Sequence, residues 1–190
     1  MATLVLGIDD QVGQLVAKRL VDQVSLTVFS SKTVTGQVGD PHKAATYVDL
    51  LEDVDVVYSN FMGMDVDWKL EALFEAIRQT KANVRTVVRS VVGVDDEATQ
   101  PVSYPGITDP VTFLKQQRYA IKIVDEAELP YTVFRAAPVA VTATDDVLLI
   151  NEGQPVNPEP ITAEALAAVV AQELVEPQHV GQSLAVVGKN

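Results

Sequence analysis

The chain of 190 residues carries 14 Lys and Arg against 26 Asp and Glu, a net charge of −12, with 47% hydrophobic and 21% charged residues. It is too apolar for disorder and long enough to bury roughly 70% of its unfolded surface, and one domain over residues 1–190 is expected. The acidity opposes nucleic acid and anionic membranes, whose phosphates are contacted by Lys and Arg. The absence of cysteine removes disulfides, thiolate ligands and a cysteine nucleophile, and two distant His build no zinc centre, so no metal is expected.

The N-terminal apolar stretch ends at Asp9 without a basic flank, so no targeting segment and a cytoplasmic location are expected. Thr3 to Ile8 reads as a buried strand and Gln11 to Val21 as a helix, with Leu15, Val16 and Leu20 at helical spacing. Ser25 to Ser30 is a second strand, followed by turn residues Gly39, Asp40 and Pro41, a helix near His42 to Leu51 and a strand from Val54 to Tyr58. Leu70, Leu73, Phe74 and Ile77 define the next helix, with Asp67 placed to cap it, and Val84 to Val92 the following strand. Nine of the ten prolines lie after residue 100, and Pro101, Pro105, Gly106 and Pro110 mark an irregular loop able to wall a site. A helix over Thr112 to Ala127, strands Tyr131 to Arg135 and Asp145 to Ile150, a Thr162-capped helix to Leu174 and a strand Ser183 to Val187 complete the chain. Alternating strands and helices predict an α/β fold of the Rossmann-like doubly wound kind, a mainly parallel sheet with helices on both faces.

Gly7-Ile8-Asp9-Asp10-Gln11-Val12-Gly13 falls where the first strand meets the first helix, the place where doubly wound proteins hold a pyrophosphate. It resembles the Gly-x-x-Gly-x-x-Gly turn of atypical short-chain dehydrogenase/reductases, specifically the NmrA-like NAD(P)H-binding group. Gly7, Gln11, Val12 and Gly13 match, and so in order do Gly39-Asp40, Ser59-Asn60-Phe61-Met62-Gly63, Ser90-Val91-Val92-Gly93, Tyr131 to Arg135 and Ile161-Thr162. The resemblance implies NADP(H) as cofactor. Its binding residues would be Gly7, Asp9, Asp10, Gln11, Val12, Gly13, Ser30, Ser31, Lys32, Asp40, Ser59, Asn60, Phe61 and Ser90. Ser30, Ser31 and Lys32 at the end of the second strand suit a 2′-phosphate better than ribose hydroxyls, and Asp40 would sit near the adenine edge. Asp10, however, replaces the middle glycine and Asp9 stands beside it. Two charges about 4 Å apart repel by roughly 4 kcal/mol at an effective dielectric of ~20. Dinucleotide binding is therefore retained, weakened or lost, and either carboxylate is placed to cap the helix where the family places phosphate.

In active relatives a Tyr-x-x-x-Lys pair protonates a carbonyl. The resemblance puts Phe113 and Gln117 at those positions, and Val91 beside the retained Ser90. Tyr104 and the Tyr119/Lys122 pair are the remaining tyrosine candidates, the latter read as packing and a solvated cation. Met62, Val91, Tyr104 and Phe113 are expected to line a substrate pocket, and Trp68 to line a pocket near Phe61 and Met62 or to pack in the core. Asp95-Asp96-Glu97 and Asp145-Asp146 read as caps or solvated turns, and His42 and His179 as surface residues near turns. The preferred reading is a redox or nucleotide sensor, a pseudoenzyme signalling to a protein partner. The alternatives are an NADPH-dependent reductase of a flavin, quinone or similar planar acceptor, and an interaction module without nucleotide. Its partners are thus a dinucleotide or small molecule and a protein, with a homodimer as the assembly to test.

Overall fold

The computed structural model describes residues 1–32 and 36–189. Among them the elements run β1 (Ala2–Leu6), α1 (Gln11–Leu20), β2 (Ser25–Ser30), β3 (Gln37–Val38), α2 (Ala45–Val48), β4 (Val56–Ser59), α3 (Val66–Thr80), β5 (Arg85–Val91), α4 (Pro110–Glu126), β6 (Tyr131–Ala136), β7 (Val139–Thr144), β8 (Val147–Asn151), α5 (Ala163–Val175) and β9 (Gln182–Gly188). Eight strands form one sheet in the order β3-β2-β1-β4-β5-β6-β9-β8, with β8 antiparallel to β9. This is the doubly wound arrangement that the alternation of elements predicts.

Central strands read as continuous apolar runs because helices cover both sheet faces. Leu4 and Leu6 of β1 point into a layer with Leu70, Phe74 and Val124, against α3 and α4. Val5, between them, faces the opposite layer with Val16, Leu20, Leu166 and Val170, against α1 and α5. The period of two along the strand thus divides its side chains between two cores. In α1 the buried residues Val12, Val16 and Leu20 recur every four positions and form the stripe that docks it.

Some boundaries differ from the sequence expectation. Ile8 lies outside β1, which ends where Gly7 turns to φ +79°. The helix expected from His42 shortens to α2 and a 3-10 turn over Asp49–Leu51. The buried Tyr47 hydroxyl donates to the Pro41 carbonyl at 2.7 Å and holds the preceding segment as a turn. Asp67 does not cap α3, because the helix begins at Val66 after a left-handed Asp65, so Asp67 falls in the first turn. Thr162 does cap α5, accepting from the Ala165 amide at 3.0 Å. The short β3 and the outlying β7 are additional to the expected elements, β7 touching Ile161 only through bridges at Val139 and Thr144. Among the described residues no helix is long and apolar enough to cross a membrane.

Candidate functional site

Strand register assembles the site. Leu6 pairs with both Phe29 and Ser59, and Ser59 pairs with Val88, so Gly7, Ser30, Asn60 and Arg89 stand at one level on the C-terminal edge of the sheet. The strand order reverses between β1 and β4, and ligands of doubly wound folds lie outside such a switch point. Gly7 has φ +79°, and a Cβ there would come within 3.1 Å of the Phe61 ring. A Cβ on Gly13 would collide with the Gly7 carbonyl and stand 2.9 Å from Asn60 Nδ2. These two glycines let α1 begin hard against the edge of the sheet.

Both extra carboxylates are engaged. Asp10 is the N-cap of α1, accepting from the Gly13 amide at 2.9 Å and from Asn60 Nδ2 at 2.7 Å. Its other oxygen pairs with Arg89 Nη1 at 2.8 Å. Asn60 also donates to the Gly7 carbonyl at 2.9 Å, while its oxygen accepts from the Tyr58 hydroxyl at 2.8 Å and from Arg89 at 3.1 Å. Asp9 instead crosses to β2, accepting from the Ser31 amide at 3.1 Å, the Ser31 hydroxyl at 2.8 Å and the Ser30 hydroxyl. Burial opposes ionisation of Asp9, but the serine hydrogen bonds and nearby Lys32 hold its carboxyl below the ordinary value. The structure therefore separates the two roles that the sequence left open: Asp10 caps, and Asp9 ties the glycine turn to the second strand.

A groove of about 270 Å³ follows this edge, and Gly7, Asp9, Asp10, Ser31, Lys32, Asn60, Phe61 and Met62 line it together with Pro41 and Lys69. Gln11, Val12 and Gly13 form the first turn of α1, with Val12 buried in the core rather than facing the groove. Ser30 is buried under Asp9, and Ser59 is 1% exposed with no partner for its hydroxyl among the described residues. Asp40 lies outside the groove, where it accepts from the His42 amide at 3.0 Å and pairs with Lys43 at 3.2 Å, so its place is a local turn. Lys69 was not legible as a site residue. It lies 5.9 Å from the centroid of the Phe61 ring, and desolvation lowers its pKa.

For a dinucleotide this donor set fits in part. Lys32 and Lys69 offer ammonium groups, but the Gly13 amide that would meet a pyrophosphate is held by Asp10. A pyrophosphate seated on the α1 N-terminus does not fit while Asp10 keeps this position. The 2′-phosphate ligands expected at Ser30 and Ser31 are likewise turned to Asp9.

A second cavity of about 260 Å³ adjoins the groove, and Met62, Val91, Tyr104 and Phe113 are among the residues that line it. Arg89 and Ser90 of β5, the segment Ala136 to Val139, Gly63, Ser103, Pro105 and Ile107 complete its wall. The Tyr104 hydroxyl donates to the Val92 carbonyl at 2.7 Å, and its ring centroid lies 5.1 Å from that of Phe113. Burial, reinforced by Glu97, pushes the Tyr104 phenol up to about 12, which is unsuited to donating a proton near neutrality. Ser90 Oγ donates to Gln117 Oε1 at 3.0 Å, and both Phe113 and Gln117 are buried beside the cavity. Tyr119 is exposed on α4, and Lys122 pairs with Glu126 at 3.5 Å, away from this wall. Trp68 is 64% exposed, neither core nor pocket wall, because α3 turns it outward.

Two buried arginines are the main residues missed. Each interrupts an apolar strand run, Arg89 in Thr86 to Val92 and Arg135 in Tyr131 to Ala137, and an arginine there requires a buried partner. Arg135 is fully buried and bonds Glu97, with Asp95 at 3.6 Å. Burial raises the Asp95 pKa against the attraction of Arg135. Asp96 pairs with Arg118 at 3.2 Å with its side chain 88% exposed, so Asp95 and Asp96 lie in a solvated turn while Glu97 is buried against Arg135. Asp145 accepts from the Thr162 hydroxyl. His179 Nδ1 lies 2.8 Å from the buried Glu173, a partner that its surface reading did not include. Among the described residues no group of three or more His, Asp or Glu is arranged to hold a metal.

The fold is shared with solved structures of low sequence identity. A short-chain dehydrogenase/reductase from Veillonella parvula DSM 2008, in complex with NADP, is 17% identical with a TM-score of 0.80, covering 100% of this chain and 95% of its own. A Rossmann-fold NAD(P)-binding family protein from Shigella flexneri is 20% identical at a TM-score of 0.77, covering 100% and 96%. A candidate NADH-flavin reductase from Streptococcus pneumoniae TIGR4 is 17% identical at 0.74, covering both chains completely. No curated protein matches the sequence. With the glycine turn, the switch-point groove and a family model described as NAD(P)H-binding matched over residues 10–177, the chain belongs to this NAD(P)H-binding family.

Proposed function

We propose that the protein is an NmrA-like atypical short-chain dehydrogenase/reductase that acts as a redox or nucleotide sensor, a pseudoenzyme whose ligand state is read by a protein partner. The observation that carries this reading is the buried contact of Ser90 with Gln117, flanked by Phe113, where the family resemblance places the tyrosine and lysine. Phe113 has no proton to give, and Gln117 supplies no charge to lower a phenol pKa. Asp10 on the α1 N-terminus adds a weakened dinucleotide site, since a bound pyrophosphate must displace or repel it. Lys32 and Lys69 would hold such a nucleotide, and the nicotinamide would supply hydride chemistry in any turnover. The apolar cavity beside Ser90 favours one second reading, reduction of a planar acceptor that needs no tyrosine acid.

Calorimetric titration with NADPH and NADH, followed by an oxidation assay with flavin and quinone acceptors, tests both readings. Binding without turnover is the expected result. Turnover would favour the reductase, and absence of binding at millimolar concentration would overturn both and leave an interaction module.

A further inference from the structure

Arg89 stands between the two cavities. Its side chain is 9% exposed and its Nη1 serves Asp10 Oδ2 at 2.8 Å and Asn60 Oδ1 at 3.1 Å. Of its other donors, Nε is buried without a partner and out of a ligand's reach, while among the described residues Nη2 makes no hydrogen bond and keeps its N–H groups for an oxyanion. Arg89 lines the cavity of about 260 Å³, whose remaining wall includes Val91, Phe113, Tyr104 and Met62. This volume lies below the roughly 300–1,000 Å³ of drug-sized sites and suits one or two rings.

A buried donor without an acceptor is costly, and a cation beside an apolar pocket is the type of group that fixes a ligand's orientation there. Since Asp10 is bonded through Nη1, a ligand oxyanion on Nη2 need not displace it. We propose that the cavity beside Ser90 binds a small planar molecule bearing a carboxylate or similar oxyanion, its rings on Val91 and Phe113 and its charge on Nη2 of Arg89. This site is independent of dinucleotide binding, so it stands or falls separately from the sensor reading.

The test titrates the intact protein without nucleotide, using benzoate and 2-naphthoate as probes and benzamide and 2-naphthamide as neutral counterparts, read by calorimetry and by amide NMR shifts. One or both carboxylates should bind at least about tenfold tighter than the matching amide, shifting the amides of Ser90, Val91 and Phe113. Arg89→Gln should remove the preference. Asp10→Asn retains a good capping side chain but removes the competing charge, and should tighten carboxylate binding severalfold without requiring the arginine variant to fold. Equal affinity for acid and amide, shifts confined to other residues, no carboxylate binding at about 10 mM to the folded wild type, or unaltered affinity in Asp10→Asn would each overturn the proposal.

Discussion

Arg89 reaches from β5 to the first turn of α1 and closes a 2.8 Å ion pair with Asp10. This one contact joins the two cavities, since Asp10 lines the groove at the glycine turn and Arg89 lines the apolar cavity beside Ser90. It also explains how a carboxylate persists at the helix end: the positive end of α1, the Asn60 amide and a guanidinium all stabilise it. The tie extends to Tyr58, whose hydroxyl bonds Asn60 and whose burial raises its pKa.

Replacing Asp10 by Gly should strengthen NADPH binding by about tenfold or more. A carboxylate about 4 Å from a phosphate opposes it by up to ~4 kcal/mol at a dielectric of ~20, and Arg89 offsets part of that in the wild type. The variant should lose about 1–2 kcal/mol of stability, less than a fully buried pair would, because the Asp10 side chain is 45% exposed. Calorimetric titration and urea unfolding measure the two effects. Unchanged or weaker nucleotide binding in a folded variant would remove Asp10 as the obstacle.

Asp9 should contribute to acid sensitivity. Its hydrogen bonds from Ser30 and Ser31 lower its folded pKa below the unfolded value of 3.8, so the folded state binds this proton less readily. The stabilisation is therefore present above the unfolded pKa and lost as pH falls through the lowered folded one. Asp9→Asn should flatten the corresponding part of the curve when urea midpoints are compared from about pH 6 down to pH 2. Parallel acid limbs for wild type and variant would contradict this role.

Tyr104 should behave as a structural hydroxyl. Its phenol has a folded pKa raised from 10.0 to about 12, so the stability linked to its neutral form is complete below the unfolded value and is lost as pH rises through the folded one. Tyr104→Phe should remove one late-titrating tyrosine from the 295 nm absorbance curve. Removing the hydrogen bond to the Val92 carbonyl should cost about 1 kcal/mol. Any NADPH oxidation that the protein supports should remain within about twofold of wild type, and a larger loss of rate would make Tyr104 the missing acid.

Glu97→Ala should be much more damaging than Arg78→Ala. Glu97 is 4% exposed at its side chain and neutralises the fully buried Arg135, so its removal leaves a buried charge and should cost about 3–5 kcal/mol. Arg78 and Glu75 form an exposed pair on α3, worth about 0–1 kcal/mol. Denaturant unfolding of the two variants side by side checks the contrast.

The order of elements was legible because burial on both sheet faces leaves continuous apolar strands, as in Leu4 to Leu6, and because apolar residues such as Leu15, Val16 and Leu20 recur at helical spacing, although the stripe that docks α1 is Val12, Val16 and Leu20. The family resemblance, rather than spacing, pointed to Phe113 and Gln117; the structure sets Gln117 against Ser90 and gathers Met62, Val91, Tyr104 and Phe113 in one wall. Helix starts were less legible, as at Asp65 and Asp67, because neighbouring acids are equivalent capping candidates until the backbone chooses one.

By itself the sequence determined the doubly wound fold class, the position of the glycine turn and the presence of two carboxylates on it. Only the tertiary structure decided what those carboxylates do. Parallel register brings Ser30, Asn60 and Arg89 to the level of Gly7 from strands far apart in the chain, so Asp9 finds hydroxyls while Asp10 finds an amide, a helix end and a guanidinium. Local spacing carries no record of such partners, because a hydrogen bond depends on distance and direction in space rather than on separation along the chain.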